Sequence, residues 1–354
     1  DLRDEEFESL TGINVNWTHV PFVALQEKIA SVGVAADGSF DVVNYLDSWG
    51  PANAYWLEPI DGWLKRDGIS MDRYPEAFKK SAMFKGETLG FPLRAHPMLM
   101  FYRKDLFAKH GLAAPKTWNE VVRAGKKIKQ QEGIGGLACY FGADGNRQNL
   151  FIWLNYIWAT GTDVFDKQMK PAWATPAGLK ATRDYVDLHT KNNICGKGAV
   201  SNVEQDARIQ FAQGNAAMMP VWWWAYSGFY NPNQSKLTKD QVGFAGMPSY
   251  KGKTVTYAIS MPYSISKYSK NKEAAWEFMK WLSNPELDRR NAIERSVRGE
   301  KIVNNVVTHK SSMADAEVNA ANDNIQKAAL ASLASSDIMP QIPEWPEVGD
   351  LLSN

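Results

Sequence analysis

Only two of the 354 residues are cysteine, Cys139 and Cys195, which excludes a thiolate zinc cluster and a multi-bridge disulfide framework. A single bridge in an oxidising compartment and two unrelated small core thiols both fit that pair. Charge of one sign is also missing: 40 Lys and Arg stand against 39 Asp and Glu, a net +1. A chain that binds nucleic acid through a basic stripe would not balance so closely. The longest nearly apolar run, 216–230, is broken by Pro220 and is shorter than the roughly 18 residues of a membrane span, so a soluble chain is expected. The serine-hydrolase elbow, the zinc-binding HExxH, the phosphate loop and the dinucleotide fingerprint are all absent. The five histidines (His19, His96, His110, His189 and His309) show no metal-ligand spacing, and no catalytic group, metal or cofactor is expected. Carboxylate pairs such as Glu58 with Asp61, or Asp163 with Asp166, could serve sugar hydrolysis, but 39 acidic residues supply such pairs by chance. No flexible Gly/Ser linker and no internal repeat divides the chain. It opens Asp1-Leu2-Arg3-Asp4-Glu5-Glu6 without Met and reads as a processed or trimmed chain in which export is neither shown nor excluded.

What is present is length, apolar content and aromatic rings. At about 150 residues per domain the chain is long enough for two, and 44% hydrophobic residues make it globular. Without a linker, the two are expected to be lobes joined by several crossing strands. Segment 2–10 reads as a helix closed by Gly12. Segment 13–18 alternates as a strand, 22–32 reads as a helix, and 40–46 suits a buried parallel strand. That succession is a βαβ unit, so the start of the chain is α/β. Lys85-Gly86 marks a turn before strands at 88–93 and 97–102. Thr117 followed by Glu120 spells a capping box for a helix ended by Gly133. Strands are further expected at 137–141, 214–221, 242–245 and 255–259. Helices are expected at 150–159, 176–190, 273–282 and 314–335, with a new helix after Asn284-Pro285 and an extended segment over 340–346.

Fourteen tryptophans outnumber thirteen tyrosines. Large flat rings beside polar loop residues suit a neutral polyhydroxylated ligand, whose C–H faces stack while its hydroxyls exchange hydrogen bonds. Such loops are Asn44-Tyr45-Leu46-Asp47-Ser48-Trp49, Arg94-Ala95-His96, Asp144 to Asn149, and Trp222-Trp223-Trp224, three rings that no single face can bury. The first follows a strand at its carboxyl end, where open α/β sheets bind ligands. Trp158 and Trp281 read as core.

Several motifs occur in a telling order: Phe40-Asp41-Val42-Val43, Leu89-Gly90-Phe91-Pro92, Phe101-Tyr102-Arg103-Lys104-Asp105-Leu106-Phe107, Pro115-Lys116-Thr117-Trp118, Phe211-Ala212-Gln213-Gly214-Asn215, Val242-Gly243-Phe244-Ala245 and Lys272-Glu273-Ala274-Ala275-Trp276. Their combination resembles the extracellular solute-binding proteins of ABC sugar importers, family 1, related to maltose-binding protein. Segment 230–248 looks most like the polyol- and monosaccharide-binding branches. The resemblance implies an α/β, two-lobed type II periplasmic-binding-protein fold, without catalysis, with a ligand cleft between lobes. One lobe would comprise 1–104 and 260–300, the other 105–259 and 301–354, with three crossings near 103–105, 256–260 and 299–304. The resemblance also implies a monomer that takes a carbohydrate or polyol and hands it to the permease subunits of an ABC importer. Its place would be the periplasm or cell exterior, membrane-associated through the transporter. Carried over by position, the ligand set is His19, Asp47, Ser48, Trp49, Arg94, His96, Asn146, Arg147, Thr162, Trp222, Trp223, Tyr257, Ser260 and Arg298. The arginines leave room for an anionic sugar-derived solute; a non-sugar solute and a glycan-processing enzyme using a carboxylate pair are the alternatives. Two departures are the family's first strand, absent before Asp1, and its last helix, cut short after Trp345.

Overall fold

Local signals decide most helix ends. Thr117 Oγ1 accepts from the Glu120 amide at 3.1 Å and the Glu120 carboxylate accepts from the Thr117 amide at 3.1 Å. This reciprocal box starts the helix Trp118–Glu132, and Gly133 at φ 70° closes it. Gly12 closes the helix Asp4–Thr11 in the same left-handed conformation. Asn284 caps Pro285–Ile293 by accepting from the Glu286 amide. The computed structural model describes residues 3–144, 146–294 and 306–354. Among them no helix is long and apolar enough to cross a membrane.

Nine strands form among the described residues: β1 Val42–Asn44, β2 Met83–Phe84, β3 Glu87–Thr88, β4 His96–Arg103, β5 Met218–Trp222, β6 Val242–Ala245, β7 Thr256–Ile259, β8 Tyr263–Ile265 and β9 Ser336–Asp337. The chain divides into two compact units, one of Asp1–His96, Ala258–Leu330 and Ile338–Pro346, the other of Pro97–Tyr257, Ala331–Asp337 and Glu347–Asn354. In the first, β1 pairs antiparallel with β8, Val42 opposite Ile265. β2 and β3 form a hairpin around Lys85 and Gly86, both at positive φ, as a tight primed turn requires. In the second, β4 is flanked antiparallel by β5 along Met98–Tyr102 and by β6 along Met100–Arg103. β7 joins β4, and β9 runs parallel to β7. The strand residues Met98 to Phe101, Met218, Met219 and Val221 are fully buried and form its core.

Several expectations change. Segment 13–18 carries no strand, because a two-residue period becomes a ladder only where a neighbour supplies the partner groups. The strand at 40–46 is shorter, and it is antiparallel, so the βαβ unit is not realised among the described residues. Segment 137–141 shrinks to one bridge between Leu137 and Cys195. The long C-terminal helix is split at Asp323 and Asn324, both left-handed, into Ala316–Ala321 and Ile325–Leu333. Residues 345–353 are helical. Residues 97–104 fall in the second unit because β4 is built into its sheet. Residues 306–330 fall in the first, where Asp288 accepts from the Thr308 and His309 amides and Arg289 pairs with Asp315. The chain therefore passes between units after His96 and after Tyr257, and again within 330–347; the crossing expected at 299–304 lies outside the described residues.

Candidate functional site

In the first unit the chain leaves β1 and turns at once into a short 3₁₀ turn, Asp47–Trp49, all three residues buried. The turn is held against the segment following β7. The Asp47 amide donates to the Ser260 carbonyl at 3.0 Å, and the Ser260 amide returns a bond to Asp47 Oδ2 at 3.3 Å. Asp47 Oδ1 accepts from the Ser48 amide at 2.7 Å. Ser260 Oγ bonds Ser81 Oγ, which donates to the Phe78 carbonyl. No cation pairs with Asp47 among the described residues, and its side chain is 0% exposed. Burial raises its pKa from 3.8 to about 7, only partly opposed by the Ser48 and Ser260 amides. Beside it, Trp49 is 1% exposed, stacks on Phe22 at 5.8 Å, and its indole N–H meets no acceptor among the described residues.

Arg94 joins this group through the main chain: its carbonyl accepts from the Met261 amide at 3.3 Å, one residue beyond Ser260. Its backbone is left-handed at φ 53°, and its side chain is exposed. His96 is buried, and burial followed by the Arg94 charge holds its pKa well below the ordinary value, so the ring is neutral. The structure thus assembles Asp47, Ser48, Trp49, Arg94 and Ser260 in one unit, with Ser81 and Phe22 added. Serine 81 carries no motif, and only its packing reveals it.

The second unit supplies rings. Trp222 ends β5 at 6% exposure, with Phe151 edge-on at 5.2 Å and Tyr257 at 5.0 Å. Trp158 lies 6.0 Å from Tyr257, and its indole N–H donates to Asp163. The Tyr257 amide donates to Asn155 Oδ1 at 2.8 Å, so the helix Leu150–Ala159 and β7 hold the cluster from two sides. Trp223 differs from its neighbour: it is fully enclosed, at 0% exposure.

The remaining expected residues have other surroundings. His19 is exposed and stacks on Trp17 at 6.1 Å. Asn146 donates its amide to Asp144 Oδ1. Arg147 is 4% exposed, with its guanidinium 3.0 Å from Asp350. The Thr162 hydroxyl bonds that of Thr160 at 2.8 Å. Arg298 lies outside the described residues. The pairs that could suggest hydrolysis are tied up. Glu58 binds Lys272, and Asp61 takes both the amide and hydroxyl of Thr88. Asp163 takes Trp158, and Asp166 takes the amides of Gln168 and Lys170. Cys139 and Cys195 are joined in a disulfide within the second unit.

Known proteins resemble this chain in sequence and in fold. The maltose-bound MalE3 protein of T. maritima is 25% identical with a TM-score of 0.85, covering 99% of this chain and 88% of that one. An ABC transporter solute-binding protein from Agrobacterium radiobacter K84, in complex with ribitol, is 25% identical with a TM-score of 0.82, covering 99% and 87%. A mannitol-binding protein of Pseudomonas aeruginosa is 27% identical over 285 residues, 78% of this chain and 64% of the relative. Residues 3–288 match the bacterial extracellular solute-binding proteins as a family. A match of that span, on a two-unit α/β fold like theirs, makes this chain a member of the bacterial extracellular solute-binding protein family.

Proposed function

We propose that this chain is the solute receptor of an ABC importer, that it captures a carbohydrate or polyol, and that it delivers it to the permease. The observation that carries this reading is Asp47, a fully buried carboxylate with no cation beside it among the described residues. A buried, unpaired acid costs stability, and a polyhydroxylated ligand would offset that cost by donating hydroxyls to it. The Trp49 indole N–H would be a donor at the same place, Arg94 a further one, and Trp222 the ring against which C–H surface packs. His19, Ser48, His96, Asn146, Thr162, Trp223, Tyr257 and Ser260 complete the proposed set, either as contacts or as supports. The relatives that bind ribitol, maltose and mannitol support the ligand class. The receptor works as a monomer in the periplasm or at the cell exterior, held at the membrane by its transporter.

The test is a thermal-shift titration with mannitol, ribitol and maltose, because a ligand that binds only the native state raises the melting temperature with its concentration. At least one of the three is expected to do so saturably. No shift with any of them, together with turnover of a chromogenic glycoside, would move the protein to another class.

A further inference from the structure

The loop that precedes the aromatic helix is gripped by the last helix of the chain. Arg147, with a left-handed backbone at φ 57°, directs its guanidinium to Asp350 at 3.0 Å. Two residues on, Asn149 Nδ2 donates to the Ser353 carbonyl at 2.8 Å, and Ser353 Oγ donates to Asn149 Oδ1 at 2.7 Å. Gly349, between these anchors, lies so close that a Cβ there would stand 2.3 Å from Arg147 Cδ. Residues 349, 350 and 353 of the helix Trp345–Ser353 therefore present one face to the loop. The loop is otherwise held by Asp144, whose Oδ1 accepts from the Asn146 and Gln148 amides, and by Tyr185, whose hydroxyl donates to the Asn149 carbonyl. Immediately after Asn149 begins the helix Leu150–Ala159, which carries Phe151 against Trp222 and Tyr257 and Asn155 against the Tyr257 amide.

We infer that the C-terminal helix is a strut for the ligand-binding rings, and that Arg147 and Asn149 are positioning residues acting through it rather than ligand contacts. The guanidinium is buried and lies 3.0 Å from the Asp350 carboxylate, which orients it toward the C-terminal helix. Its chemical consequence is specific. Changes on the far side of the salt bridge, at Gly349 and Asp350, must alter affinity as much as changes at Arg147 itself. This rests on the proposed receptor function for its affinity readout, and on the fold alone for its second readout.

The experiment compares the full chain with Gly349→Ala, Asp350→Asn, Arg147→Lys, the double variant Arg147→Lys/Asp350→Asn, and the charge-swapped Arg147→Asp/Asp350→Arg. Calorimetric titration uses whichever of mannitol, ribitol and maltose the unmodified chain binds. Hydrogen–deuterium exchange follows residues 146–153 without ligand. Each single variant is expected to weaken binding by about fivefold, the double variant no more than either alone, and the swap to recover part of the loss. Gly349→Ala is the sharpest arm, since alanine favours the helix itself and any loss then belongs to docking. Exchange over 146–153 is expected to rise in Gly349→Ala and Asp350→Asn. If Arg147→Lys loses affinity while Gly349→Ala and Asp350→Asn bind as the unmodified chain does, Arg147 is a direct contact and the strut is overturned. If none of the three solutes binds the unmodified chain, the receptor reading fails by itself. The exchange data then decide the strut, and unchanged exchange over 146–153 overturns it.

Discussion

Asp47 and Ser260 exchange hydrogen bonds in both directions, the Asp47 amide to the Ser260 carbonyl at 3.0 Å and the Ser260 amide to the Asp47 carboxylate at 3.3 Å. The pair pins the turn after β1 to the segment after β7, and it fixes a carboxylate in a place where its charge is poorly solvated. Two main-chain amides are all that this charge receives from the described residues. A buried charge met in this way costs the fold stability.

The first expected outcome follows from the sign of that pKa shift. Asp47 titrates near 3.8 when unfolded and near about 7 when folded, so the folded state binds more protons between those values. Stability without ligand should therefore fall as pH rises from about 4 to about 7, by up to roughly 4 kcal/mol in all for this group. Asp47→Asn removes the charge and keeps the shape. Its melting temperature at pH above about 7 should exceed that of the unmodified chain, and the slope over the acidic range should flatten. Affinity should move the other way, lower in Asp47→Asn and lower in the unmodified chain as the carboxylate protonates below about pH 7. Melting curves and calorimetric titrations between about pH 5 and pH 9 test both halves. A less stable Asp47→Asn with unaltered affinity would make Asp47 a structural residue.

The bridge between Cys139 and Cys195 gives a second outcome. It closes a separation of 56 residues inside the second unit, and by the chain-entropy account a loop of that size contributes about 4 kcal/mol. Both sulfurs are buried, so reduction should require unfolding or strong reductant. Thiol titration of unfolded, unreduced protein should find no free thiol. Cys139→Ser/Cys195→Ser should melt well below the unmodified chain, with ligand affinity little changed. Two free thiols would remove the bridge.

How much of this was legible in the sequence depends on how local the deciding physics is. The capping box at Thr117 and Glu120, the left-handed caps at Gly12 and Gly133 and the Lys85-Gly86 turn all depend on a few neighbouring residues, and each stands where the pattern put it. Strand pairing is not local. The alternation Ile13, Val15, Trp17 is as regular as any in the chain, yet it makes no ladder, while β1 pairs antiparallel with a strand from much later in the chain. The same holds at the site. Asp47 and Trp49 could be picked out because they follow a strand at its carboxyl end. That Asp350 engages Arg147, and that Trp223 is enclosed while Trp222 is packed edge-on, are matters of tertiary packing that adjacent positions in sequence cannot distinguish.

Those two adjacent tryptophans give the last expected outcome, since they should respond in opposite ways. Trp222 closes β5 and stands with its ring edged by Phe151 and Tyr257, at 6% exposure. A central aromatic anchor of this kind typically costs about 2 kcal/mol or more of binding when truncated, about thirtyfold in affinity. Trp222→Ala should therefore weaken binding of the preferred solute strongly, and Trp222→Phe, which keeps a flat ring, should recover much of it. Trp223 begins the next turn and is enclosed at 0% exposure. Its removal leaves a cavity that the surroundings cannot fill, at a cost of about 3–5 kcal/mol in stability, so Trp223→Ala should show a large drop in melting temperature. At a temperature where Trp223→Ala is still folded, its affinity should lie within about threefold of the unmodified chain, because an enclosed side chain that supports the site acts mainly on unfolding. Melting curves with calorimetric titration on the three variants separate the two roles. If Trp222→Ala keeps full affinity and loses only stability, then Trp222 is core like its neighbour, and Trp49 becomes the next ring to test.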